Sequence, residues 1–356
     1  MSLPSSHLAA VVPEAGAQHK VVDRSLGSLA ADEIAVKITA TAINPVDWKI
    51  RDYRIFITEF PAVLGSDAAG EVVAVGSSVK SHTVGERVFF QGILGNYDSS
   101  TFQQYAKIPA SLAAKTPKKV SDDQAATFWV AGMAAATGLY HNSGLSLAAP
   151  WDKNGDSVGK GKTAIILGGS SSVGQYVIQF AKLSGFDHII TSSSASHFDY
   201  LKNLGATQVL DRSQATTASE FIAAIDSNSE ATWVYDSISS ASTQLLAVQI
   251  LQALQGGKVI TVTPADEKAA AQSKVDGKPN VEVSNILGIG SNPAYRYVSE
   301  PLAAHLGGED GYVATGKVSL NRTQVVQGGL NSVEEALKIN KQGVSGLKVV
   351  ILPNEA

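Results

Sequence analysis

Residues 162–167 (KTAIIL) form an apolar run with no polar alternation, and they lead straight into a Gly/Ser loop, Gly168 to Gly174. A strand of that kind has to be covered on both faces. The loop opens into a segment of helical periodicity, residues 175–184, with Val177, Ile178, Ala181 and Leu183 on one side and Gly185 at its end. The same step then repeats. Strands are predicted at 188–191, 208–210, 232–235 and 258–262, with helices between them at 198–204, 218–225 and 243–254. Alternating strands and helices predict an α/β fold, a doubly wound parallel sheet over residues 126–295.

The flanks read differently. Residues 33–42 (EIAVKITATA) put Ile34, Val36, Ile38 and Ala40 on one face with period two. Residues 70–75 and 87–90 are further short apolar strands, closed by Gly turns. The tail returns to this style after residue 325, with a short helix at 332–341 and a last strand at 346–351. Short strands between Gly and Pro turns predict a small β domain or barrel. Both ends of the chain build it, 1–125 and 296–356, with the parallel-sheet domain inserted between them. A length of 356 residues suits two domains.

Composition removes several classes. A net charge of −4 argues against a general polyanion binder such as a nucleic-acid protein. With no cysteine, disulfides, thiolate catalysis, Fe–S clusters and Cys-ligated zinc are excluded. The apolar stretch 125–140 has 16 residues, short of the roughly 20 that span a bilayer, and reads as a buried helix. No basic-then-apolar leader is visible, so the expectation is a cytoplasmic protein with no membrane partner. The sequon at Asn321 reads as incidental, and the cluster Lys115, Lys118, Lys119 as solvated charge.

The loop carries the chemistry. A pyrophosphate needs backbone N–H groups, a helix N-terminus and room, and Gly168, Gly169 and Gly174 give that room around Ser170, Ser171, Ser172 and Val173. The strict G-x-G-x-x-G pattern fails at Ser171. At the end of the second strand, where NAD sites carry an acid, the chain has Thr191, Ser192, Ser193 and Ser194, and no Asp or Glu before Asp199. Small hydroxyls leave space for a 2′-phosphate, with His197, Lys202 and Arg212 as nearby cations. NADPH is therefore expected over NADH.

Several segments together resemble the medium-chain dehydrogenase/reductase superfamily along nearly the whole chain. They are 42–49 (AINPVDWK), 64–76 (LGSDAAGEVVAVG), 84–88 (VGERV), the helix around Ala136-Thr137-Gly138-Leu139, the Gly/Ser loop, and 346–350 (GLKVV). The resemblance implies a GroES-like β-rich catalytic domain plus a Rossmann domain, with the active site in the cleft between them. Zinc-dependent members carry Gly-His-Glu where this chain has Gly65-Ser66-Asp67, and they use cysteine ligands. The likeness therefore narrows to the zinc-free branch of quinone reductases, alkenal or enone reductases and enoyl reductases, and no metal is expected. Residues 44–49 (NPVDWK) and 194–199 (SASHFD) look most like trans-acting enoyl reductases of polyketide pathways, the ToxD-like group.

What the resemblance implies is hydride transfer to an activated C=C bond of a small molecule or acyl thioester. Asn44 is expected to hold the ribose or a substrate oxygen. Lys49, and less strongly Tyr53, are the candidate proton donors or enolate stabilisers, and Asp47 a structural hydrogen-bonder. Thr137 is expected to contact the cofactor, Asp236, Ser237 and Ile238 the ribose, and Val262 and Thr263 the nicotinamide amide. Trp129 is either pocket or core, and residues 285–295 resemble a cap over the cleft. Quinone reduction and a non-catalytic NADPH-binding role stay open, as does the choice between monomer and homodimer.

Overall fold

The computed structural model describes residues 4–355. Residues 1–3 and 356, at the ends of the expected β domain, lie outside the described residues. The chain divides into two compact units. One takes the chain up to Val130 and again from Ile289; the other is Ala131–Gly288.

The first unit opens with β1 (His7–Val12), β2 (Lys20–Arg24), β3 (Glu33–Ala42), α1 (Pro45–Tyr53), β4 (Ala62–Val63) and β5 (Asp67–Val75). β6 (Arg87–Gln91), β7 (Tyr105–Pro109), β8 (Ala113–Lys115) and α2 (Asp122–Ala125) follow. α3 (Trp129–Tyr140) carries the chain onward. The second unit contains β9 (Thr163–Leu167), α4 (Ser172–Leu183), β10 (His188–Ser193), α5 (Phe198–Leu204), β11 (Gln208–Asp211) and α6 (Ala218–Ala223). β12 (Trp233–Asp236), α7 (Ala241–Ala253), β13 (Gly257–Thr261), α8 (Glu267–Gln272) and β14 (Val281–Asn285) complete it. The chain returns to the first unit with α9 (Arg296–Leu306), β15 (Thr323–Val326), α10 (Val333–Gln342) and β16 (Lys348–Ile351).

The second unit is the expected parallel sheet, in the order β11-β10-β9-β12-β13-β14. Chain direction across the sheet reverses between β9 and β12, and ligands of such sheets bind outside the strand C-termini at that point. On one face of β9, Ile165 and Leu167 are buried with Val234, Val248, Leu251 and Val259, and on the other Ala164 and Ile166 are also fully buried. β14 has no counterpart in the sequence reading. It is an edge strand with only Val281 fully buried, so it lacks the apolar run that marked the others.

The first unit has a three-stranded sheet, β2-β1-β4, and a seven-stranded one along β15-β16-β3-β5-β6-β8, with β7 also paired to β3. β3 pairs with β5 along one edge, with register shifts at Ala35/Val36 and Ile38/Ala40, and its other edge is shared by β7 at residues 33–37 and β16 at residues 41–42. Ile34, Val36 and Ile38 enter one core cluster, as their period predicts. The α/β class with a β-rich unit and a parallel-sheet unit is thus the architecture the sequence implied.

The Asn44-Pro45 dipeptide starts a helix. Proline is tolerated in a first helical turn, and the Asp47 carboxylate accepts from the Asn44 backbone N–H at 2.7 Å, half of a capping box.

Candidate active site

In the second unit the first half of the Gly/Ser segment is loop and the second half is helix. Ser171 Oγ accepts from Gly174 N at 3.0 Å and caps α4, so Ser172, Val173 and Gly174 form its first turn. The helix begins three residues earlier than periodicity placed it. Its opening N–H groups have no intrahelical partner, which is what an anionic group needs. The glycines are required by the protein itself as much as by a ligand. Gly168 sits at φ +78°, and an added Cβ would meet Ile238 Cγ1 at 2.3 Å. At Gly174 a Cβ would meet the Gly168 carbonyl oxygen at 2.4 Å.

A hydroxyl lattice ties the strand ends together. Ser237 Oγ donates to Leu167 O at 2.6 Å and accepts from Ser171 Oγ at 3.0 Å. Gly169 N donates to Ser192 O at 3.0 Å. Ser239 Oγ accepts from Val262 N at 2.9 Å, and Thr263 Oγ1 donates to Ser239 O at 3.0 Å. Val262 and Thr263 therefore follow β13 rather than end it. Asp236 Oδ1 accepts from Ile238 N and Ser239 N, and burial raises its carboxyl above the usual range. The Ile238 side chain is exposed beside Gly168. Ser239, which holds the Val262 turn, had no place in the sequence-based expectations, and Ser192, named only among the small hydroxyls after the second strand, holds the loop. Both lie in Ser runs whose individual roles carry no sequence signal.

Three buried polar atoms have no partner among the described residues of this unit: Thr137 Oγ1, Ser193 Oγ and Asp236 Oδ2. Buried polar groups are nearly always paired, so these atoms fit a polar ligand at the strand ends. α3, which carries Thr137, reaches β12 through Tyr235, whose hydroxyl donates to Ala134 O at 2.8 Å. Arg212 N donates to Ser193 O at 2.9 Å, which places the start of the Arg212 side chain beside the end of β10. Arg212 and Lys202 are exposed and form no ion pair among the described residues, while His197 is buried at the start of α5. Ser194 is half-buried.

The first unit holds a second polar centre. Asn44 is 1% exposed, and its amide is committed: Nδ2 donates to Asp67 Oδ2 at 3.0 Å and Oδ1 accepts from Lys348 Nζ at 2.5 Å. Asp67 Oδ1 accepts from Val130 N at 2.8 Å, and Lys348 Nζ stands 3.5 Å from Asp67 Oδ2. Asp47 is the structural hydrogen-bonder expected, and Ser66 Oγ reaches its Oδ1 at 3.4 Å. Lys49 and Tyr53 stand apart from this cluster. Lys49 Nζ lies 5.6 Å from the Trp48 ring centroid, and Tyr53 is 60% exposed with its ring edge-on to Trp48. Asp67 and Lys348, which complete this cluster, were not among the sequence-based candidates. Lys348 left one signal, a charge inside the apolar strand LKVVI.

Trp129 is core: it is 1% exposed, packs on Phe89 and Phe128, and donates from Nε1 to Phe89 O at 2.9 Å. The 285–295 stretch is pinned in each unit. Asn285 Nδ2 donates to Thr261 O at 3.3 Å, and Gly290 N donates to Gln91 Oε1 at 2.8 Å. Lys115 pairs with Glu86 at 3.0 Å, while Lys118 and Lys119 are exposed.

A β-rich unit and a parallel-sheet unit with a dinucleotide-type loop at its switch point, in one chain, define a class of two-unit nicotinamide oxidoreductases. Residues 30–118 match the family described as Alcohol dehydrogenase GroES-like domain, and 172–265 the one described as Zinc-binding dehydrogenase. Trans-enoyl reductase himH of Aspergillus japonicus is 30% identical over 335 residues, covering 90% of this chain and 89% of its own. The chloroplast envelope quinone oxidoreductase homolog of Arabidopsis thaliana is 35% identical over 184 residues, covering 51% of this chain and 53% of its own. Among solved structures, Escherichia coli quinone oxidoreductase complexed with NADPH shares the fold at TM-score 0.69, with 21% identity over 98% of this chain and 100% of that one. The chain belongs to the medium-chain dehydrogenase/reductase superfamily, in the branch that holds the quinone oxidoreductases and trans-enoyl reductases.

The donor set does not fit the zinc that the second family's description names. The chain has no cysteine, and among the described residues no group of three His, Cys, Asp or Glu could hold a metal ion. Asp67, at the place of the Glu of zinc-dependent members, is already bound by Asn44, Val130 and Lys348.

Proposed function

We propose that this protein reduces the C=C bond of an α,β-unsaturated carbonyl compound with NADPH, with no metal in the chemistry. The observation that carries the reading is the extent of the relatives. A protein called trans-enoyl reductase matches along 90% of this chain, against 51% for the quinone oxidoreductase homolog. Bound reduced nicotinamide supplies hydride to the electron-poor β-carbon.

The chain's own residues have three tasks. The first turn of α4, from Ser172 to Gly174, receives the pyrophosphate behind the loop Gly168 to Ser171. Thr137, Ser193 and Asp236 offer their unpartnered atoms to the cofactor. Ser193 and Ser194 leave room for a 2′-phosphate, with the free cations Lys202 and Arg212 to pair with it, so NADPH is preferred to NADH. In the first unit, the buried Asn44 amide ties Asp67 to Lys348 rather than reaching a ligand, and Lys49 and Tyr53 remain the sequence-based candidates to stabilise or protonate the enolate.

The substrate class is a small enoyl compound, with an acyl thioester as its finer form. Quinone reduction is the second reading, favoured by the Arabidopsis relative. The test is consumption of NADPH and NADH with a simple enone and, in parallel, a quinone, with products identified. A saturated ketone formed faster with NADPH supports the proposal; turnover of the quinone alone selects the second reading.

A further inference from the structure

The cluster around Asn44 has an odd charge count. Two carboxylates, Asp47 and Asp67, are both 0% exposed, and one ammonium, Lys348, is 4% exposed. Burying a net negative charge is costly, and a proton removes the cost. The geometry says where that proton sits. Asp67 has the ammonium, the Asn44 amide and the Val130 N–H. Asp47 has only the Asn44 backbone N–H at 2.7 Å and the Ser66 hydroxyl at 3.4 Å. Asp47 is the carboxyl left without a cation.

Ser66 differs from the rest of the cluster because it is half-buried, where its four neighbours are closed off from solvent. When Asp47 is protonated on Oδ1, it can only donate toward Ser66 Oγ, and the Ser66 hydrogen is then free to point away from the cluster.

We propose that Asp47, Asp67 and Lys348 hold one exchangeable proton and that the Ser66 hydroxyl is its outlet. The proposal rests on the reading above, since reduction of an enoyl compound needs a proton at the α-carbon. The electron pair of the enolate forms a C–H bond with the Ser66 hydrogen as Ser66 Oγ takes the hydrogen of Asp47. Serine ends neutral, Asp47 ends as carboxylate, and water restores its proton before the next turnover. The hydride on the β-carbon comes from the reduced dinucleotide, so the hydrogens and electrons balance. Burial pushes the Asp47 carboxyl up to about 7, the Asp67 charge adds to the rise, and the Asn44 N–H, Lys348 and Ser66 oppose it. Asp67 and Lys348 are the charged groups that face Asp47; Asn44 and Ser66 are its neutral neighbours.

The test has one arm without turnover and one with it. Infrared difference spectra of the whole protein, titrated from pH 5 to 9 (about two units either side of the midpoint), should contain a protonated-carboxyl band that disappears near pH 7 and is absent in Asp47→Asn. In enone reduction, Ser66→Ala should lower kcat about a hundredfold with the NADPH Kd unchanged, and Ser66→Thr should restore most of it. Absence of the band overturns the proposal whatever the activity. So does a Ser66→Ala enzyme that keeps both the wild-type rate and its pH profile. A wild-type protein that has the band but does not reduce enones would overturn the reading of the reaction while supporting the proton-holding cluster.

Discussion

Thr137→Val should move stability and cofactor binding in opposite directions. The Thr137 side chain is fully buried, and its hydroxyl has no partner among the described residues. A buried polar group without a partner costs about 1–3 kcal/mol, and valine keeps the shape while removing the group. The cofactor-free protein should therefore gain stability, toward the lower end of that range if the site is hydrated. For a unit the size of Ala131–Gly288 each kcal/mol moves Tm by about 2–4 °C, so a rise of a few degrees is expected. The bound state responds the other way. If the hydroxyl is satisfied by the cofactor, its loss removes a hydrogen bond made only in the complex, and the dinucleotide Kd should rise about tenfold. Thermal unfolding of the free protein and calorimetric titration with NADPH measure the two effects. A destabilised Thr137→Val protein with unchanged affinity would refute the argument, because the hydroxyl would then be part of the packing.

Charge reversal at Arg212 or Lys202 to Glu should raise the KM for NADPH tenfold or more, about 1.4 kcal/mol, and leave NADH nearly unaffected, which a pair of steady-state titrations reads directly. Gly174→Ala places a methyl 2.4 Å from the Gly168 carbonyl oxygen and should cost about 1–3 kcal/mol in denaturant unfolding, with weaker dinucleotide binding. Acid stability has a named source in Glu334, which is held down at about 2 against its burial by hydrogen bonds from His19 and by the charges of His19 and Arg51. A depressed carboxyl stabilises the fold above its unfolded value of 4.5, and that contribution fades as pH falls from there through about 2. Glu334→Gln should therefore remove roughly 1–3 kcal/mol at neutral pH and flatten the acid limb of the stability curve.

The parallel sheet was legible because its strands are apolar on both faces. β9, β10, β12 and β13 all stand within two residues of where the pattern put them. β14 was not, because an edge strand with one fully buried residue has the composition of a loop. α1 was hidden by Asn44-Pro45, which reads as a turn until the Asp47 carboxylate is seen to cap it. The start of α4 depended on a single side-chain bond, Ser171 Oγ to Gly174, that periodicity does not register. The site was legible to the extent that it follows strand ends in order. Gly168, Ser193, Asp236 and Val262 became candidates that way. Asp67 and Lys348 are 281 positions apart and meet only through the pairing of β3 with both β5 and β16. Their contact with Asn44 shows why an amide in a promising motif was closed off from solvent rather than open.

The central claim is hydride delivery to carbon. NADPH carrying deuterium at nicotinamide C4 should be incubated with the protein and an α,β-unsaturated thioester, and the product analysed by NMR and mass spectrometry. The expected product is a saturated thioester with one deuterium at the β-carbon and a solvent-derived hydrogen at the α-carbon. Recovery of unreduced thioester from a protein that oxidises the same NADPH with a quinone would contradict it.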